Sequence, residues 1–185
     1  NFFLESFNNL MSILNLEVQN NYIEILLPVG ISFFTFQSMS YSIDIYYKKI
    51  NLEKDLVRFA TFVSFFPQLV AGPIVRAKKL IPQLKIIKPF KWSNFFLGLE
   101  LIIYGFFLKI CVADRLGIIV DPTYSDPKNY GGFVHLISSI AFSFQIYCDF
   151  SGYSLIAIGI GRVMGFNFGI NFRRPYFAAS FQDFW

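Results

Sequence analysis

Charge is scarce in this 185-residue chain: only 15% of its residues are Asp, Glu, Lys or Arg, against roughly 25% in an ordinary soluble domain. A water-soluble globule of this length needs a polar surface, and so few charges do not supply one. Cysteine is scarce as well. Cys111 and Cys148 each sit in an apolar run, so they read as two buried thiols and not as a disulfide framework. With His135 as the single histidine, no metal-ligand spacing exists. There is no basic-then-apolar leader with a small-residue cleavage site, no repeat and no low-complexity tract. An opening Asn1 and an ending at Trp185 without a polar tail read as an internal piece of a longer protein.

What the chain has in quantity is apolar and aromatic: 55% and 20% of its residues, with 25 Phe and 10 Tyr. That excludes a disordered chain. Together with the shortage of charge, it makes lipid the solvent for much of the surface.

Uncharged runs locate the elements, because a helix needs about 20 residues to cross roughly 30 Å of hydrocarbon. Residues 25 to 43 (ILLPVGISFFTFQSMSYSI) carry no charge, residues 92 to 113 hold only Glu100 and Lys109, and residues 129 to 148 hold no Asp, Glu, Lys or Arg. The pattern predicts transmembrane helices over about 25–47, 92–113 and 129–149. Residues 59 to 75 (FATFVSFFPQLVAGPIV) are shorter and contain Pro67, Gly72 and Pro73, which remove a backbone donor or loosen a turn. A re-entrant or broken segment is expected there. Residues 150 to 170 carry Gly152, Gly159, Gly161, Gly165 and Gly169, spacings that let helices approach closely, and predict a buried or interfacial helix. The tail 171–185 mixes Arg173 and Arg174 with Phe and Trp and is expected at the cytoplasmic interface. The whole reads as an all-α, multi-pass transmembrane helical protein, with residues 1–185 forming one partial domain.

Loop charge orients it, since cytoplasmic loops are enriched in Lys and Arg. Lys48, Lys49, Lys54 and Arg58 precede the broken segment, and Arg76, Lys78, Lys79, Lys85, Lys88 and Lys91 follow it with no acid among them. Both flanks read as cytoplasmic, so the segment dips in and returns. Non-helical backbone at that depth is tolerated only against protein or a water-filled cavity. The loop 114–130, with Asp114, Asp121 and Asp126, reads as external.

Polar groups at membrane depth are costly and point to function by default. Asp149 ends an uncharged run beside Gln145, Ser151 and Tyr153; it either lines a cavity or ties helices together. Gln68 and Arg76 flank the AGP turn, where freed carbonyls and amides face a ligand, or else Arg76 merely snorkels and Gln68 satisfies the break. Glu100 and Lys109 lie nine residues apart, too far for a same-face pair. His135 reads as structural. Gly159-Ile160-Gly161 is no dinucleotide fingerprint, for no strand precedes it and the third glycine is missing.

The runs LPVGISFFTFQSMSYSIDIYY (27–47), FPQLVAGPIVR (66–76) and QIYCDFSGYSLIAIGIGRVMGFNFGINFRRPYF (145–177) closely resemble the membrane-bound O-acyltransferase family, in its bacterial alginate O-acetyltransferase-like branch. The likeness runs from about residue 20 to Trp185. It implies a partial fold of that family: a ring of helices around a thin central region, with a cytoplasmic cavity for the acyl donor and an external funnel for the acceptor. Leu155, after the GYS triplet, departs from the Asp common in the alginate branch and matches the related teichoic acid D-alanyltransferases.

The family's histidine motif follows directly after its FW pair and a second histidine lies farther on, so no catalytic residue is assigned within these 185 residues; His135 matches neither. By motif position the resemblance implies that Gln68, Gly72, Pro73, Arg76, Gln145, Asp149, Ser151, Gly152 and Tyr153 line or brace the acyl-transfer tunnel. Asn171, Pro175, Tyr176 and Trp185 would position the segment leading into the histidine motif. No bound cofactor or metal is implied. The donor is a substrate, acetyl-CoA or a carrier-linked acyl group, reaching the site from the cytoplasmic side. The acceptor is an exported polysaccharide or a periplasmic acyltransferase partner; the surroundings are membrane lipid, in the bacterial cytoplasmic (inner) membrane, with no nucleic acid. D-alanyl transfer to teichoic acid, secondary transport and a non-catalytic scaffold are the competing readings.

Overall fold

The computed structural model describes residues 30–69 and 72–184. Every regular element among them is helical. Helix α1 (Ile31–Tyr46) is followed by α2 (Leu56–Val63), α3 (Phe66–Leu69) and α4 (Ala77–Leu84). Then α5 (Trp92–Phe106) runs through a π-helical stretch (Phe107–Ala113) into α6 (Asp114–Ser125). A short 3₁₀ turn at Pro127–Asn129 leads to α7 (Gly132–Val163), and a second at Pro175–Phe177 leads to α8 (Phe181–Phe184).

The pattern of burial is inverted relative to a soluble protein. In α1 the residues turned inward are Gln37, Tyr41 and Asp44, at i, i+4 and i+7, while Phe36, Met39 and Ile43 are exposed. In α7 the buried positions are small or hydroxylic, among them Ser138, Ala141, Ser151, Gly152, Ser154, Ala157, Gly159 and Gly161, and Ile137, Ile140 and Phe144 face out. Small residues at the contact and large apolar ones outside are the pattern of helices packed in lipid. Two continuous helices, Trp92–Ser125 and Gly132–Val163, are long and apolar enough to cross a membrane, and only 11% and 17% of their most apolar windows are buried.

These two helices run antiparallel, and glycine sets their closeness. A Cβ at Gly98 would lie 2.6 Å from the Gly159 carbonyl oxygen, and one at Gly105 would lie 2.6 Å from that of Gly152. The two pairs are seven residues apart along each chain, two turns of one seam. Farther along the register shifts. The Ser138 hydroxyl donates to Thr123 Oγ1 at 3.0 Å, so 18 residues from Gly105 face 14 from Gly152. The wider turns of the π stretch advance less per residue and contribute to that difference.

Several expected boundaries differ from what is observed. The helix beginning at Trp92 continues beyond residue 113 to Ser125, so most of the expected external loop 114–130 is helical. Asp114 does not end the helix because its carboxylate pairs with Lys109 one turn back at 3.1 Å. The expected divide between a span at 129–149 and a separate helix at 150–170 is absent: α7 passes through Asp149 unbroken and stops at Val163. Its glycines serve the crossing with α5, and the chain leaves the helix at Gly165, whose φ of +84° suits only glycine well. Cys111 is exposed while Cys148 is buried, so just one of the two thiols is inside. Residues 25–29 of the first expected span lie outside the described residues.

A core of Tyr41, Phe62, Phe65, Val75, Ala77, Leu80, Ile81 and Phe168 joins α1, α2 and α4 to the chain beyond α7. Asp55 caps α2, accepting from the Val57 and Arg58 amides at 3.0 and 3.2 Å, the usual relief for unpaired first-turn donors.

The segment after α7 departs from the expected interfacial tail. Phe168 packs on Gly161, Asn171 Nδ2 donates to Ser154 Oγ at 2.8 Å, Phe172 stacks edge-on with Phe150, and the Tyr176 hydroxyl donates to the Ser143 carbonyl at 2.5 Å. The chain therefore climbs back along α7 instead of staying at its end.

Candidate functional site

Three polar groupings hold most of the residues singled out by sequence. The first lies where α7 crosses the π stretch. Lys109 Nζ is 2.5 Å from Asp149 Oδ1 and 3.1 Å from Asp114 Oδ1, so one ammonium bridges carboxylates on both long helices. Gly152 makes this approach possible, because a Cβ there would lie 3.1 Å from the Lys109 backbone nitrogen. Gly152 thus braces the crossing. Tyr153 is exposed and, with Lys109, Asp114, Phe66 and Pro67, borders a cavity of about 460 Å³. One turn before Asp149, Gln145 packs near Gly117, and its Oε1 is buried with no donor among the described residues.

Lys109 and Asp114 were not among the residues that the sequence assigned to the site. The signal was present in part, as Lys109 in a run with one other charge, Glu100, and Asp149 at the end of an uncharged one. Pairing them required the antiparallel register and the π stretch, which no local pattern announces.

The second grouping closes the broken segment. The Phe62 carbonyl, near the end of α2, accepts from Gln37 Nε2 at 2.8 Å and from Gln68 Nε2 at 3.1 Å. Gln68 is buried, with its Oε1 unpartnered among the described residues. Gly72 lies so close to the Gln68 backbone that a Cβ would sit 2.7 Å from the Pro67 carbonyl oxygen, which makes glycine a requirement of this turn. Gly72 and Pro73 are both buried. Arg76 is not drawn in: its side chain is 71% exposed and reaches Asp44 at 4.0 Å only.

The third grouping joins α7 to the returning segment. Ser151 and Asn171 line one cavity of about 440 Å³ together with Ser154, Tyr147 and Arg162. Gly72, Asn171, Arg173, Pro175, Tyr176 and Asp183 line another of about 680 Å³. Gly72 of the second motif and Asn171, Pro175 and Tyr176 of the third thus meet around one space. Trp185 lies outside the described residues.

No serine, threonine or cysteine among the described residues hydrogen-bonds an imidazole. His135 Nε2 instead meets the Pro127 carbonyl at 3.0 Å. The arrangement offers walls, hydrogen-bond donors and one ion-pair cluster, and these together shape a space.

The profile of MBOAT, the membrane-bound O-acyltransferase family, matches residues 53–185. A Pseudomonas putida protein named "Probable alginate O-acetylase AlgI" is 38% identical over 185 residues, all of this chain and 38% of that protein. The peptidoglycan O-acetyltransferase of Helicobacter pylori is 33% identical over 88% of the chain and 36% of its own length. The teichoic acid D-alanyltransferase of Bacillus subtilis is 25% identical over 85% of the chain and 40% of its own length. The chain thus spans less than half the length of the relatives it matches, and it belongs to the membrane-bound O-acyltransferase family.

Proposed function

We propose that the full-length protein is a multi-pass O-acyltransferase of a bacterial cytoplasmic membrane that transfers acetyl groups to an exported polysaccharide. The observation that carries this reading is the 38% identity to an alginate O-acetylase over the entire chain, against 25% to a D-alanyltransferase. The exposed apolar faces of the two long helices support the membrane setting.

In this reading the acceptor hydroxyl oxygen attacks the carbonyl carbon of an acyl thioester. The carbon–sulfur bond breaks, and the hydroxyl proton passes through a general base to the departing thiolate. A histidine outside these 185 residues is the base. The present chain holds the reactants near one another and excludes competing water, a contribution that positioning alone makes large. The Lys109–Asp149–Asp114 cluster and the turn at Gln68–Gly72 are the rigid parts of that wall.

The test is to express the full-length protein in cells lacking their own copy and to measure ester-linked groups on the exported polymer. Acetyl esters that vanish on deletion and return on complementation are expected. D-alanyl esters would replace this reading with the runner-up, and transport of an unmodified solute without any ester would replace both.

A further inference from the structure

Between α4 and α5 the surface has two needs that neither bulk water nor hydrocarbon meets together. Residues 85–92 read KIIKPFKW, and the apolar side chains among them point outward: Ile86, Phe90 and Trp92 are exposed, and Ile87 is 92% exposed. The backbone at 87–91 belongs to no regular element, and no N–H there has a hydrogen-bond partner among the described residues. Hydrocarbon would leave those amides unmet, and water would leave the side chains unburied. The zone of lipid headgroups satisfies both.

The position fits that zone. Trp92 opens α5, and α7 stops at the same end, for the Val163 nitrogen would lie 3.0 Å from a Cβ at Gly98, a short way past Trp92. Phe90, Phe95 and Phe96 gather round Trp92 with ring centroids 5.1, 5.7 and 6.0 Å from its own, the kind of aromatic belt that marks a membrane boundary. Charge fits as well. Lys79 donates to the Phe168 carbonyl at 2.8 Å, Lys85 meets Glu53 at 2.9 Å, and Arg76 has Asp44 at 4.0 Å. Lys78, Lys88 and Lys91 have no ion pair among the described residues. Lys88 is held in place, its stem against Gly165 and its ammonium 5.9 Å from the centre of the Phe166 ring.

We infer that residues 85–92 form a docking surface for anionic phospholipid headgroups, with Lys88 and Lys91 meeting the phosphates while Ile86, Ile87, Phe90 and Trp92 enter the lipid around them. Lysines interleaved with large apolar side chains are what an interfacial anchor requires. Charge decides the occupant: no Asp or Glu occurs from residue 56 to residue 99, so an anionic surface complements this face and a second copy of it would repel. Docking here holds the start of α5 at a set depth, and with it the glycine seam that begins at Gly98. The inference depends on the membrane setting and not on the reaction.

The experiment uses full-length protein freed of its cysteines by substitution to Ser, carrying Ile87→Cys labelled with a fluorophore, in phosphatidylcholine nanodiscs. Ile103→Cys, at an exposed position deeper in α5, is the control. The quencher is a doxyl group on the acyl chain of either phosphatidylglycerol or phosphatidylcholine, added at the same mole fraction. One lysine near the surface enriches acidic lipid about fivefold, so phosphatidylglycerol is expected to quench at residue 87 about fivefold more than phosphatidylcholine, and at residue 103 equally. Lys88→Gln and Lys91→Gln, singly and together, should lower the ratio at 87, and high salt should lower it without any substitution. Equal quenching at 87 by the two lipids overturns headgroup recognition. No quenching at 87 by either, with 103 quenched, shows that protein covers this face and overturns the lipid contact. Loss of the preference on adding acetyl-CoA would reassign the lysines to a soluble phosphate ligand and overturn it too. A preference for phosphatidylglycerol in a protein that forms no acyl ester would leave this inference standing and remove the proposed function.

Discussion

Gly98 and Gly159 face each other so closely that a Cβ on either would lie 2.6 Å from the carbonyl oxygen of the other. Backbone meets backbone here, and the branched side chains of Val163 and Ile102 crowd the same space. Replacing Gly98, Gly159 or Gly105 by Ala is expected to destabilise the crossing of the two long helices by about 1–3 kcal/mol. The loss would show as a lower melting temperature of the detergent-solubilised full-length protein. Gly131→Ala, where a Cβ meets nothing within 4 Å, should leave it unchanged; equal melting of all four variants would contradict the close crossing.

The shared carbonyl of Phe62 gives a second prediction. It belongs to the last turn of α2, where carbonyls lack helical partners, and both Gln37 and Gln68 donate to it. Gln37→Leu or Gln68→Leu alone should cost about 1 kcal/mol, because one donor remains. The double substitution leaves a buried acceptor unmet and should cost more than the two single losses together, by about 1 kcal/mol. Strict additivity in a double-mutant cycle would show that the two donors act separately.

Glu53 supplies a dependence on pH. Its carboxylate receives Lys85 Nζ at 2.9 Å and Arg58 Nη1 at 2.8 Å. The Lys85 hydrogen bond foremost, then the Asp55 backbone and the Arg58 charge, hold its carboxyl below the ordinary value of 4.5 against the opposing effect of burial. A carboxyl lowered by folding contributes its stability above the unfolded value and loses it as the pH falls. Wild-type protein should therefore melt above Glu53→Gln at neutral pH, and the gap should close as the pH drops below 4.5. A gap constant across that range would place the stabilisation elsewhere.

Much of this architecture could be read from the order of residues, and the exceptions have identifiable causes. The helix starting at Trp92 announced itself by its nearly uncharged run, and the small-residue spacings after residue 150 announced close packing. The end of the first was misplaced because Asp114 reads as a loop charge until its partner Lys109 is known to lie one turn back. Asp149 likewise reads as a boundary, yet it sits inside a continuous helix because the same lysine neutralises it. Ion pairs across elements hide helices from local reading.

The candidate site was legible to a similar depth. Gly72 shares one space with Asn171, Pro175 and Tyr176, a meeting of two separate motifs that their positions in the chain do not announce. The Arg76 side chain is largely exposed, with Asp44 at 4.0 Å, as a snorkelling arginine would be. The return of the chain along α7 was hidden because Arg173 and Arg174 carry the signature of an interface while Phe168, Asn171, Phe172 and Tyr176 hold the backbone to the helix.

The π stretch at Phe107–Ala113 makes residue count a structural variable in its own right. It separates a glycine seam, fixed by backbone contact, from the polar contacts beyond it, where Gln145 meets Gly117 and Ser138 meets Thr123. Deleting one residue there would turn everything downstream in that helix by about 100° while leaving the seam untouched. The hydroxyl pair of Thr123 and Ser138 would then face apart although neither had been altered. Length, in this part of the chain, works as a phase setting between a rigid clasp and the polar groups it aims.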